Sequence, residues 1–77
     1  MVEEATGRLQ WVYAQLAAGW RVEGPVIERA VYRGQYERAS VFEFVLRHEG
    51  GCQAMAVNDC PEVRSFIRER QLASIAL

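Results

Sequence analysis

The stretch VFEFVLRHEGGCQAMAVN, residues 41–58, decides the fold. Alternating apolar and polar residues flank Gly50-Gly51 on both sides, and glycines supply the positive φ values that a tight primed turn requires, so the stretch reads as a β-hairpin. With Gly50-Gly51 as a two-residue loop, Glu49 pairs with Cys52, His48 with Gln53, Leu46 with Met55 and Phe44 with Val57. One face then carries Phe42, Phe44, Leu46, Met55 and Val57, which is a core face. A three-residue loop would set Phe44 against Ala56 and Leu46 against Ala54, scattering the large side chains over both faces. Because a one-residue slip turns every side chain over, the first register is preferred. The opposite, open face presents Val41, Glu43, Val45 and Arg47 from one strand and Ala54, Ala56 and Asn58 from the next.

Working outward, WRVEGPVIERAVYR lies upstream and is rich in β-branched and aromatic residues. Gly24-Pro25 cannot sit inside a regular central strand, so the segment reads as an extended piece at Trp20 to Glu23, a bend, and a strand from Val26 to Tyr32. RGQYERAS is a polar loop, and turn chemistry does not explain its Tyr36. From Glu3 to Ala18, the residues Ala5, Leu9, Val12, Tyr13 and Leu16 recur at helical spacing and mark one buried face. Glu3 and Glu4 suit the positive end of that helix, and Gly19 is placed as a left-handed cap. Trp11 falls on the other side, near Gly7, Ala14 and Ala18, on a face unusually apolar for contact with water. Downstream, Val63, Phe66 and Ile67 give helical spacing from Pro61 to about Arg70 or Gln71. The final LASIAL is too apolar to float freely; it either extends the helix or packs as a short edge strand.

The expected fold is therefore α+β, a two-layer α-β-β-β-α arrangement whose three-stranded antiparallel sheet carries both helices on one face. The 77 residues form one domain, 1–77, of a size that buries only about 60–65% of its unfolded surface. An apolar content of 51% exceeds what a disordered segment carries. Nine basic and ten acidic residues leave a net charge of −1, which disfavours a surface built chiefly to neutralise phosphates. Every one of the nine is arginine, a bias that a GC-rich genome explains as well as bidentate contacts do. The N-terminus, MVEEATGR, is acidic and lacks an apolar signal core, and no apolar run approaches the ~18 residues of a membrane span. The expected location is cytoplasmic, where the two cysteines stay reduced.

Cys60 is the sharpest chemical question. Proline disfavours helical geometry in the residue before it and is welcome in the first turn, which makes Cys60 the expected N-cap of the last helix. The helix dipole and Arg64 would favour a thiolate there, while Asp59 and Glu62 oppose it. His48 and Cys52 lie at the far end of the hairpin, roughly 20 Å away along the strand at about 3.3 Å per residue, too far to serve as base or disulfide partner. His48 and Cys52 point to opposite faces of the hairpin and lack the further ligands of a structural zinc site. No acid–base pair and no phosphate-binding glycine loop stands out, so neither an enzyme activity nor a cofactor is expected; a thiol enzyme or redox sensor using Cys60 is an alternative.

The α-β-β-β-α order resembles, in topology, the double-stranded-RNA-binding domain. That family implies a duplex grip by its first helix, the loop between its first two strands and a lysine-rich start to its second helix; here the second helix begins PEVRSF and has no lysine. A nucleic-acid alternative would use Arg29, Arg33, Arg38 and Arg47, interleaved with Tyr32 and Tyr36 and offset by Glu28, Glu37 and Glu43. The succession of AAGW, RVEGPV, FEFVL and DCPEVRSF also resembles short bacterial proteins of unknown function, a likeness that spans most of the chain but implies no activity. The leading expectation is a small interaction module, pairing with itself or another protein through Trp11 on its helix and through Val41, Val45, Arg47, Ala54 and Ala56 on the open sheet. Docking of LASIAL over Trp11 is the competing expectation for that residue.

Overall fold

A computed structural model describes residues 2–32, 34 and 37–77, with side chains described within the helices and strands from residue 7 onward. Ala5's side chain, Arg33 and Tyr36 lie outside the described residues. The chain runs α1 (Val2–Ala17), β1 (Arg21–Val22), β2 (Val26–Tyr32), β3 (Arg38–His48), β4 (Gly51–Asn58), α2 (Pro61–Glu69) and β5 (Ser74–Ala76). The fold is α+β, as the sequence predicts, but the sheet has five strands and is mixed rather than three-stranded and antiparallel.

Both differences have local causes. β3 is 11 residues long and has two edges. One edge pairs with β4; the other pairs with β2 over residues 38–43 and with β1 at Leu46 and Arg47. β1 and β2 are thus two pieces of one interrupted strand. Four residues, 23–26, span the length that two residues of β3 cover, and the Gly24-Pro25 bend takes up the excess, with Gly24 at φ 69. The fifth strand comes from LASIAL. Ser74, Ile75 and Ala76 pair in parallel with Val26, Ile27 and Glu28, which resolves the choice between helix extension and edge strand in favour of the strand. The N–H of Val26 donates to the Ala73 carbonyl at 2.9 Å, and that of Leu77 to the Glu28 carbonyl at 3.0 Å.

The hairpin is present, but in a register two residues away from the expected one. Phe44 pairs with Met55, Leu46 with Gln53 and His48 with Gly51, leaving Glu49-Gly50 as the two-residue turn, with Glu49 itself at φ 54. A shift of two preserves alternation, so Phe42, Phe44, Leu46, Met55 and Val57 still share one face. Gly51 enters the strand because the Trp20 ring lies against it: a Cβ at position 51 would stand 3.1 Å from Trp20 Cη2.

Both helices end in the same way. Gly19 (φ 102) donates its N–H to the Leu16 carbonyl at 3.1 Å, and Trp20 to the Gln15 carbonyl at 3.0 Å. Gln71 (φ 54) donates to Arg68 at 3.1 Å, and Leu72 to Ile67 at 3.0 Å. These paired bonds are Schellman motifs, which satisfy the last helical carbonyls. Leu9 and Val12 of α1 and Val63 and Phe66 of α2 pack with Val26, Phe42, Phe44 and Val57 in one core, each at most 3% exposed. Tyr13, expected on the buried face, stands at its margin, 37% exposed, with its ring edge-on to Phe66 at 5.1 Å. No helix among the described residues is long and apolar enough to cross a membrane.

Candidate functional site

The face of the sheet away from the helices is built by alternation. In β3 the even-numbered residues Phe42, Phe44 and Leu46 go to the core, so Val41, Glu43, Val45 and Arg47 project the other way. Register places Asn58, Ala56, Ala54 and Cys52 beside them on β4, and Ile27, Arg29 and Val31 on β2. Ile75 of β5 stands next to Ile27 and is 48% exposed. Val41, Val45, Arg47, Ala54 and Ala56, all expected on an open face, are therefore brought together there. Ile27, Val31 and Ile75 belong to the same surface. The alternation in VIERAV carried the signal for the first two, whereas Ile75 required knowing that the tail is a strand.

Trp11 is not part of that surface. It is half-buried and packs against the core from α1, in the helix layer on the other side of the sheet. LASIAL sets Leu72 against the core and forms β5. The neighbours of Trp11 on its helical stripe lean over β4. The Arg8 Nη1 donates to the Ala56 carbonyl at 3.1 Å, and Gln53 Nε2 to Gln15 Oε1 at 3.4 Å. The Arg8 contact occupies one of the backbone acceptors that an edge strand leaves open.

Two arginines of the open face, Arg29 and Arg47, are paired within its plane. Arg29 donates to Glu43 Oε1 from Nε at 3.2 Å and from Nη2 at 3.1 Å. Arg47 donates from Nε to Glu23 Oε2, and that hydrogen bond, followed by the charge of Glu23, pushes the Arg47 guanidinium above its ordinary range. An arginine raised in this way stays protonated at all working pH values; the contribution is present at neutrality and is lost only in strong alkali. The four arginines of the nucleic-acid alternative do not converge. Arg29 and Arg47 share the open face with their carboxylates, Arg38 alternates to the other side at the far end of β3, and Arg33 is outside the described residues.

Cys60 is the N-cap of α2, with extended backbone (φ −158, ψ 163) and Pro61 in the first turn, as the sequence predicts. Its side chain makes no capping hydrogen bond; the thiol is half-buried and packs against the core. Arg64, the cation that would favour a thiolate, is committed elsewhere. Its Nε and Nη2 reach the two Asp59 oxygens at 2.7 and 2.9 Å, Nη2 lies 3.6 Å from Glu28 Oε2, and the guanidinium sits 5.4 Å from the Phe42 ring centroid. The hydrogen bond to Asp59 leads the causes that raise Arg64 above its ordinary range. Both cysteines are free, and no cluster of three metal-ligating side chains occurs among the described residues.

No protein-family model matches the chain, and no curated protein or solved structure matches it significantly.

Proposed function

We propose that this chain is a small protein-interaction module that pairs with a second copy of itself through the open face of its sheet. The supporting observation is the composition of that face: β-branched apolar side chains at Ile27, Val31, Val41 and Val45, with Arg29 and Arg47 already neutralised by Glu43 and Glu23 beside them. Burying an unpaired charge is costly, and the in-plane pairing of Arg29 and Arg47 lowers the cost of covering the face, with Arg21 at its margin on the two-residue β1. The same pairing takes from a phosphate backbone the two arginines it would need, which is why the protein partner is favoured over nucleic acid. A two-fold dimer requires a self-complementary patch, and sheet faces pack at about 10 Å with modest rotation. At about 3.3 Å per residue and 4.8 Å per strand the face spans roughly 400–600 Å² in projection. That places the interface in the weak to standard size class, so the dimer forms in a concentration-dependent way.

Sedimentation equilibrium over a wide concentration range, at low and physiological salt, tests this reading. The expected result is a monomer–dimer equilibrium little affected by salt and abolished by Val45→Glu, which places a carboxylate at the centre of the face. A strict monomer at the highest concentration overturns it. RNA or DNA binding that falls steeply with salt would move the assignment to the arginines instead.

A further inference from the structure

β4 forms one edge of the sheet, and α1 lies along it. Arg8 reaches the Ala56 carbonyl, Gln15 meets Gln53, and the Trp20 ring rests on Gly51, so the helix runs antiparallel to the strand and almost in line with it. The spacing agrees: from Arg8 to Gln15 the helix rises about 10.5 Å, and from Ala56 back to Gln53 the strand spans about 10 Å.

The phase of the ladder fixes what this edge offers. His48 and Gly51 close the two-residue turn and exchange their backbone bonds, so Leu46 with Gln53 and Phe44 with Met55 do the same inside the sheet. The intervening Cys52, Ala54 and Ala56 therefore aim N–H and C=O outward. Two observed bonds obey this phase: Arg8 donates to the Ala56 carbonyl from outside, and the Glu23 N–H reaches the Val45 carbonyl from the opposite edge of β3. Among the described residues no strand pairs with the outer edge of β4. The features that usually blunt an edge are missing: GCQAMAVN has no charge and no proline, and its ladder with β3 runs from Gly51 to Asn58 without a bulge. Cys52 and Ala54 are exposed, and their small side chains leave the backbone open to approach.

A second copy does not fit this edge. Antiparallel pairing of β4 with its counterpart keeps both helix layers on the same side of the joined sheet, with the strands about 4.8 Å apart. Packed helices need about 8–10 Å between axes, and α1 already reaches past β4 with Arg8. What fits is a single extended strand with no helix of its own above it. Its alternate side chains meet Trp11 on the helix side, half-buried on the same stripe as Arg8 and Gln15, and on the other side continue the row of Cys52 and Ala54.

We propose that the strip between α1 and the edge of β4 binds an extended, proline-free peptide segment of another protein by strand addition, with backbone bonds to Cys52, Ala54 and Ala56 and an apolar side chain on Trp11. The incoming strand displaces Arg8 from the Ala56 carbonyl. The site does not depend on self-association through the open face.

The test is selection of a displayed library of random nonapeptides on the full chain, followed by NMR titration with the recovered peptides. Saturation with a Kd below about 100 µM is expected, with shifts at the Cys52, Ala54 and Ala56 amides and the Trp11 indole. Ala54→Pro removes an outward N–H, leaves the ladder with β3 intact as judged by circular dichroism, and weakens binding at least about tenfold. N-methylation of the peptide at alternate residues does the same without touching the protein. Failure to recover a saturable peptide, shifts centred on Ile27 and Val41, or equal binding by the N-methylated peptide overturns the proposal. So does a dimer that persists in Val45→Glu and is lost in Ala54→Pro, which assigns the edge to a second copy.

Discussion

The two faces of β3 carry neighbouring residues into opposite environments. Phe42, Phe44 and Leu46 are at most 3% exposed beneath the helices, while Val41, Glu43 and Val45, each one residue away, are only half-buried by their own neighbours in the sheet. The chemistry follows the environment. Below the helices the buried side chains of the strand, Phe42, Phe44 and Leu46, are all apolar, and no buried polar or charged residue occurs among those described. On the open side arginine and glutamate alternate with valine, and Arg29 and Arg47 are each tied to a carboxylate. The difference shows that one face serves folding, whereas the other is left with apolar surface whose burial requires something beyond the chain described.

The largest effect that separates the faces is a truncation at their boundary. Phe44→Ala removes a fully buried ring and costs about 3–5 kcal/mol, a large share of what a domain of this size has, whereas Val45→Ala costs under about 1 kcal/mol in the monomer. Urea denaturation of the two variants at low concentration measures both; equal losses would break the distinction. The next contrast adds volume instead. Gly51→Val on the helix face drives a side chain into Trp20 and costs about 1–3 kcal/mol, while Ala54→Val on the open face stays within about 0.5 kcal/mol. If Gly51→Val is tolerated, Trp20 is not packed as described, and its fluorescence in the variant will report the displacement.

The remaining predictions sharpen the helix layer at its edge. Gly19→Ala forces a side chain into φ 102 and toward the His48 ring, 3.1 Å from where its Cβ would stand, and costs about 1–2 kcal/mol in thermal unfolding. Gln71→Gly acts in the opposite direction. It relieves a non-glycine residue at φ 54 in the equivalent cap of α2, and stabilises by less than about 1 kcal/mol because glycine also adds freedom to the unfolded chain. A loss of stability at Gln71→Gly would mean that its side chain, and not its backbone, closes that helix.

Much of this was legible in residue pattern. β2 begins and ends where β-branched residues and the Gly24-Pro25 bend predict, and α2 starts at Pro61 after an extended Cys60. The helix ending at Gly19 was equally readable, because left-handed backbone is nearly a glycine property. The two-residue error in hairpin register came from assigning positive φ to Gly50-Gly51 when Glu49 adopts it. Alternation distinguishes odd shifts from even ones but cannot rank two even registers. The choice between them involves Trp20, more than thirty residues away, lying on Gly51. The partial burial of Trp11 was not legible for a related reason: helical periodicity locates one buried stripe, and the packing of the adjacent stripe depends on how α1 lies across β4.

By itself the sequence determined the α+β class, the positions of the main helices and strands, and the division of β3 and β4 into an apolar face and a mixed face. These are properties of spacing along the chain, set by periods of 2 and 3.6 and by the backbone limits of glycine and proline. Only the tertiary structure decided that β1 and β2 share an edge of β3, that the tail becomes the fifth strand, that Arg29 and Arg47 are neutralised, and that Trp20 and Leu72 meet Tyr13 and Phe66 around one groove. Each of these joins residues distant in sequence, where contact is governed by which elements share an edge or a layer, and no local period encodes that.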